Sequence, residues 1–369
     1  IIEFSSEIQG KVEALASQAA VAITNKNLIK DLENLFESFI KLIASAIDAK
    51  SPYTGGHCER VPEITMLLAD AVQKTKSGPF ADFKLSDQEM YELKIAAWLH
   101  DCGKVATPPH VVDKGTKLET IFDRIELIKT RMEILKRDAE IAFLKRQING
   151  SQSDFDDEYN ETIKKINDNI KFIESCNIGG EFMKPELQEK IVSISKNKVV
   201  LNDKEQNILT DDEVRNLNIA KGTLLPEERD IINDHISITI DMLEQLPYPK
   251  NLKNIPEFAG GHHEKMNGTG YPRKLFKNQM SIPARIMAIA DIFEALTAAD
   301  RPYKSPKLLS ESIKIMAAMK KDDHIDGELF ELFLTSGVYE KFARQFLMPS
   351  QIDDVDISEH VQCGPKGKT

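Results

Sequence analysis

Two adjacent histidines stand a few residues ahead of a Gly-Tyr-Pro turn in the run Gly260-Gly261-His262-His263-Glu264-Lys265-Met266-Asn267-Gly268-Thr269-Gly270-Tyr271-Pro272. Upstream lies a second dense cluster, His100-Asp101-Cys102-Gly103-Lys104. With His57 and His235, these motifs hold five of the chain's eight histidines. Imidazole and carboxylate together bind divalent transition metals, and two such ions side by side hydrolyse phosphodiesters.

Each candidate has a plainer reading when taken alone. His57 follows Thr54-Gly55-Gly56 and opens a helical run through Val61 and Leu67, so by itself it is a polar residue near a helix start. His235, in Ile231-Ile232-Asn233-Asp234-His235-Ile236, reads alone as a satisfied core histidine. The carboxylates are harder to dismiss. His100-Asp101 closes the apolar run Ile95-Ala96-Ala97-Trp98-Leu99, and Asp291 interrupts Ile286-Met287-Ala288-Ile289-Ala290 just before Ile292-Phe293. A desolvated, unpaired carboxylate costs several kcal/mol, so both need a metal or a cation. Singly these signals are weak; together, each in an apolar or glycine-bounded setting, they describe one metal centre.

The elements that must carry these residues read as helices almost throughout, with no run of alternating apolar and polar residues. From about Ser5 to Lys50 the pattern is one long helix, in which Leu28, Leu32, Leu35, Phe39 and Leu42 form a coiled-coil seam. That seam either packs on the downstream domain or pairs with a second copy; its start, well before any globular signal, favours a parallel homodimer. Further on, Ile121, Ile125, Ile128, Met132, Leu135 and Ala139 repeat the seam spacing, as do Tyr159, Ile163, Ile166, Ile170 and Ile173 after the polar turn at 149–154. Two such runs joined by a short turn predict an antiparallel helical hairpin whose charges form a solvated face. Residues 179–222 give no clear pattern, and a frayed tail is expected at the C-terminus.

A net charge of −11 argues against broad nucleic-acid binding, though metal ions at a site would still admit an anionic small molecule. The apolar stretch Ile282 to Leu296 is broken by Arg285 and Asp291, so no membrane span is expected, and no signal peptide is evident. Cys58, Cys102, Cys176 and Cys363 have no paired spacing, which suits free thiols in a reducing cytoplasm. A chain beginning at Ile1 reads as a piece of something longer.

The order of motifs carries a resemblance. Thr54-Gly55-Gly56-His57, His100-Asp101-x-Gly103-Lys104, His235, His262-His263-Glu264 with Gly268-x-Gly270-Tyr271-Pro272, Asp291 and Arg301-Pro302-Tyr303-Lys304 together resemble an HD-GYP domain. That is the branch of the HD phosphohydrolase superfamily associated with hydrolysis of the bacterial messenger cyclic di-GMP. The likeness covers roughly residues 39–114 and 224–347. Residues 12–23 resemble the closing helix of a GAF sensory domain.

The HD-GYP resemblance implies an all-α fold, an HD-type helical metal-binding domain here in two parts (51–117 and 224–347); the residue pattern adds a long N-terminal signalling helix (1–50), a helical insertion (118–223) that departs from the family, and a C-terminal tail (348–369). It implies two divalent ions, iron or manganese. One would be held by His57, His100, Asp101 and Asp291; the other by Asp101 as a bridge with His235, His262 and His263. Water made acidic between the ions would attack phosphorus in line. Lys104 would stabilise developing charge, while Tyr271, Arg301 and Lys304 would meet the dinucleotide.

The expected function is a cyclic di-GMP phosphodiesterase yielding pGpG or GMP, the output of a signalling protein, with possible docking of a diguanylate cyclase at the Gly-Tyr-Pro face. Rival readings are a catalytically silent cyclic di-GMP sensor or docking module, and a phosphohydrolase of another nucleotide. Asn267 stands where the family has Asp. Tyr53 stands where some members carry a carboxylate for a third metal, so two ions are expected rather than three.

Overall fold

The computed structural model describes residues 5–50, 55–148, 155–180, 182–249, 252–299 and 306–361. Tyr53, Thr54, Arg301, Lys304 and Cys363 therefore lie outside the described residues. The chain divides into two compact units, one formed by Ile1–Val105 with Ile236–Thr369 and the other by Ala106–His235.

The first unit begins with α1 (Ser6–Lys50). Its two faces have different fates. Ile40, Ala44 and Ile47 are buried in the unit's core, whereas the seam residues Leu28, Leu32, Leu35, Phe39 and Leu42 are all more than half exposed, between 53% and 64%. The described residues of the chain therefore leave the seam uncovered. α2 (His57–Lys74) and α3 (Asp87–Leu99) follow. α3 starts at a capping box in which Ser86 Oγ accepts from Glu89 N and the Glu89 carboxylate accepts from Ser86 N, satisfying two of the helix's orphan donors.

The second unit contains α4 (Pro109–Val112), α5 (Ile125–Ile148), α6 (Phe155–Asn177), α7 (Pro185–Ser195), β1 (Lys198–Leu201), β2 (Lys204–Asn207), α8 (Asp211–Leu217) and α9 (Pro226–Asn233). α5 and α6 run antiparallel: Lys129 pairs with Glu174 at one end, while Arg146 pairs with Glu158 and Phe143 stacks on Tyr159 at the other. Ile128, Met132, Ile166 and Ile173 from the repeated seams meet Leu118, Ile191, Val199, Ile208 and Leu217 in a separate core. Ile121 is an exception, being exposed ahead of α5.

A β-hairpin in this unit corrects the reading that found no strand. β1 and β2 pair antiparallel with Lys198 opposite Asn207 and Leu201 opposite Lys204. The linking residues, Asn202 and Asp203, both have positive φ (52° and 61°), the two-residue turn that matches strand twist and that Asn and Asp tolerate. The strands are short, and all of β2 is exposed and polar, so no alternation could reveal them.

The first unit resumes along α10 (His235–Glu244), α11 (Ile255–Gly260), α12 (Ile282–Thr297), α13 (Leu309–Lys321), α14 (Gly327–Thr335) and α15 (Val338–Phe346). α12 packs against α2, and α3 lies between α2 and α11, around a core that includes Phe293, Phe330, Phe333 and Phe342. The tail expected from residue 348 is fastened at its start. Gln351 is buried and its Nε2 donates to Thr297 O at 2.8 Å, while Asp353 accepts from the backbone and hydroxyl of Ser310. Among the described residues the fold is all-α apart from one hairpin, and no helix is long and apolar enough to cross a membrane.

Candidate metal centre

Helix ends supply most of the candidate ligands. His57 is the first residue of α2, His100 and Asp101 follow the last residue of α3, and His262 and His263 follow α11, while Asp291 sits within α12. Gly260 and Gly261 let the end of α11 come close to its neighbours. A Cβ on Gly260 would stand 2.5 Å from Ile240 Cγ1, and one on Gly261 would stand 2.7 Å from Ala284 Cβ. Neither space admits a side chain, so these glycines set the depth at which His262 enters.

The side chains converge. His57 Nε2 lies 3.2 Å from His100 Nε2, 3.2 Å from Asp101 Oδ2 and 3.4 Å from Asp291 Oδ1. His100 Nε2 is 3.3 Å from Asp101 Oδ2 and 3.7 Å from Asp291 Oδ1, and His262 Nε2 is 4.0 Å from Asp101 Oδ1. Lys104 Nζ is 2.5 Å from Asp101 Oδ2. His57, His100, Asp101 and His262 are all buried.

His263 is half-buried, with its ring stacked on Tyr271 at a centroid distance of 4.9 Å. His235, at the head of α10, is buried and its Nδ1 meets Ile232 O. One turn along α10, Thr239 accepts a hydrogen bond from Gly103 N at 2.9 Å, beside Asp101. Residues i and i+4 share a helix face, so His235 heads the face that carries this contact.

Electrostatics reflect the crowding. Burial alone would lower the pKa of His57, but Asp101 and Glu294 outweigh it and push it up to about 9. For His100, Asp101 and Asp291 overcome burial and raise it to about 10. Burial, with His263 and His100 nearby, drives His262 well below the ordinary value. Asp291 goes down despite burial, because His100, His262 and His57 surround it. Lys104 goes up, since Asp101 and Asp291 more than offset its own burial.

The donor set fits divalent transition metals. Imidazole nitrogens and carboxylate oxygens from His57, His100 and Asp291 lie within 4.8 Å of one another, as do those of His100, Asp101 and His262. His262 supplies the sharper test. Its Nδ1 is engaged by Ala259 O at 2.6 Å, and its buried Nε2 has no hydrogen-bond partner among the described residues. A buried nitrogen lone pair left open costs free energy, and a bound divalent ion would satisfy it.

Several residues of the centre escaped the sequence reading. Glu294, almost wholly buried, meets His57 Nδ1 with Oε2 and Arg60 Nε with Oε1. Asp48 in the last turn of α1 accepts from Cys58 N at 3.1 Å, and Lys50 donates to Lys104 O at 2.9 Å. The only sequence signal for Glu294 was its place one helical turn after Asp291. Asn267 is explained by its bonds: its amide donates to Asp322 O, and its oxygen accepts from Thr269 N and Oγ1. A carboxylate could not make the first of these. Cys58, Cys102 and Cys176 are buried free thiols, and burial raises the pKa of each.

Part of the chain is similar to known proteins. An HD-domain family model matches residues 210–329. The 3'3'-cGAMP-specific phosphodiesterase 1 of Vibrio cholerae is 42% identical over 80 residues, which are 22% of this chain and 18% of that protein. A cyclic di-GMP phosphodiesterase of Thermotoga maritima is 37% identical over 112 residues, 30% of this chain and 28% of that protein. The 3'3'-cGAMP-specific phosphodiesterase 3 of V. cholerae is 37% identical over 111 residues, 30% of this chain and 23% of that protein. The matches thus span less than a third of the length of each of these relatives.

Proposed function

We propose that the chain is a metal-dependent phosphodiesterase of cyclic dinucleotides, with cyclic di-GMP as substrate and pGpG or GMP as product. The observation that carries this reading is the buried convergence of His57, His100, Asp101, Asp291 and His262, with one histidine nitrogen left open. In the proposal, His57, His100, Asp101 and Asp291 hold one ion. A second ion would be held by Asp101 together with His235, His262 and His263. Iron or manganese suits this mixture of imidazole and carboxylate. Such a pair supplies, when bound, Lewis acidity toward the phosphoryl oxygens and a more acidic water.

The chain's own residues do the rest. Asp101 is fixed from one side by Lys104, whose ammonium stands at the edge of the cluster and stabilises charge developing on the phosphoryl group. Tyr271, held against His263, forms a wall of the substrate site. Arg301 and Lys304 meet phosphate and guanine. The relatives named for 3'3'-cGAMP support a second reading of the substrate, in which one of the two bases is adenine.

The proposal extends to regulation. Exposure of the α1 seam supports a parallel homodimer through that helix, and the likeness of residues 12–23 to a closing GAF helix is what supports a sensory domain ahead of it. The end of the same helix carries Asp48 and Lys50, which grip the backbone beside His57 and at Lys104. A shift of α1 therefore has a direct mechanical route to one ligand and to the charge-stabilising lysine.

The test is anaerobic purification, metal analysis and hydrolysis of both cyclic dinucleotides on one sample. About two ions per chain and turnover abolished in Asp101→Ala are expected. Ions without turnover of either dinucleotide would redirect the reading to another phosphate ester. A chain that takes up no ion after reloading would overturn it in favour of a binding module.

A further inference from the structure

Three of the four buried histidines in and around the centre are oriented in the same way. His100 Nδ1 lies 2.8 Å from Ala97 O, His262 Nδ1 lies 2.6 Å from Ala259 O, and His235 Nδ1 meets Ile232 O. Each of these carbonyls is three residues back, in the last turn of α3, α11 or α9, where carbonyls have no partner within the helix. A histidine just past a helix C-terminus thus finds its orienting acceptor in its own backbone.

His57 cannot do this. It opens α2, and only the turn at Gly55-Gly56 immediately precedes it. Its Nδ1 is met instead by a side chain from a distant part of the sequence, Glu294 Oε2 on α12 at 2.5 Å. Glu294 is itself held. Its other oxygen accepts from Arg60 Nε at 2.6 Å, and Arg60 Nη1 donates to Gly55 O at 3.0 Å. The clamp closes a loop through the first turn of α2, leaving His57 Nε2 facing His100, Asp101 and Asp291.

We propose that Glu294 is a positioning residue that selects the His57 tautomer with Nε2 open, fixes the ring angle, and makes this imidazole a stronger donor than its three counterparts. A carboxylate on the far nitrogen of a ligating histidine raises its basicity more than a neutral carbonyl does. The two halves of the centre are then electronically unequal. The ion that His57 holds depends on Glu294, and the other does not. The inference rests on the two-metal reading above.

Stepwise chelator competition on manganese-loaded wild type, Glu294→Ala and Glu294→Gln tests it without reference to turnover. Wild type should release its ions in two steps. Glu294→Ala should weaken one step by about 10–100-fold and leave the other unchanged. Glu294→Gln keeps an acceptor but loses the charge, and should fall between them. Two unchanged steps in both variants would overturn the inference while leaving the two-metal reading intact. Equal weakening of both steps in Glu294→Gln would also overturn it, because that reports general loosening of the fold. A wild-type chain that binds no manganese would overturn both.

Discussion

Both units bury charge, and they treat it in opposite ways. In the second unit, Lys114 is buried with its ammonium 2.8 Å from Glu228 and 2.8 Å from Asn216 Oδ1. Lys117 is buried with its ammonium on the carbonyls of Leu217 and Ile219. Each ammonium is answered by oxygen acceptors within 3.0 Å, three for Lys114 and two for Lys117. In the first unit, three histidines and two carboxylates crowd within 4.0 Å contacts of one another, and His262 Nε2 has no hydrogen-bond partner among the described residues. Closed networks rigidify a core; an open one is prepared for a ligand. Buried charge by itself is not the signal of function. An unsatisfied nitrogen among converging imidazoles and carboxylates is.

The largest effect that would sharpen this contrast belongs to Lys104. Lys104→Ala should lower kcat by about 10²–10³-fold while metal content stays that of the wild type, measured on the same preparation. Loss of metal instead would make Lys104 part of the binding scaffold. Next comes the closed network. Lys114→Met leaves Glu228 without its cation and should destabilise the second unit by about 2–3 kcal/mol in urea unfolding, less than for a fully buried pair because Glu228 keeps some solvent contact. Unchanged metal content in that variant is the outcome that keeps the two networks distinct.

A smaller effect comes from pH. In the metal-free protein, His57 and His100 are raised above the ordinary value of 6.5, to about 9 and about 10. Raised basic groups stabilise the fold fully below their unfolded value and lose that contribution as pH rises through the folded one. The melting temperature of the metal-free chain should therefore fall between about pH 6.5 and pH 10. His262, shifted down, acts on the other side, its cost appearing as pH drops below 6.5. Metal affinity should show the opposite slope, rising with pH as protons cease to compete for the same nitrogens. A flat melting profile without metal would break the contrast, because it would mean that the histidines are not held by the carboxylates.

The smallest expected effect lies at the end of α1. Lys50→Ala removes the grip on the carbonyls of Lys104 and Val105 and should change basal turnover by about fivefold, with metal content unaltered. Turnover equal to wild type would leave α1 without this route to the centre.

Much of the cluster was legible in the sequence because its residues sit where local rules are strict. Asp101 and Asp291 betray themselves as carboxylates in apolar runs, and Gly260-Gly261 before His262 marks a close backbone approach. The antiparallel pairing of α5 and α6 followed from seam spacing and a polar turn. The β-hairpin did not, since a short strand with no buried face has no period to read. Glu294 and Asp48 were missed for a different reason. An acid on a helix is ordinary until something distant needs it, and their partners, His57 and the amide of Cys58, are supplied by other elements.

The amino-acid sequence by itself determined the helical class, the set of metal-binding residue types and their order along the chain, because periodicity and the cost of burying charge act locally. Only the tertiary structure decided that His262 Nε2 has no hydrogen-bond partner among the described residues, which carboxylates face the histidine cluster and which one grips His57 from behind, and which face of α1 stays exposed. Those outcomes depend on contacts between helices far apart in sequence, where an ångström of separation chooses between a hydrogen bond and an open lone pair.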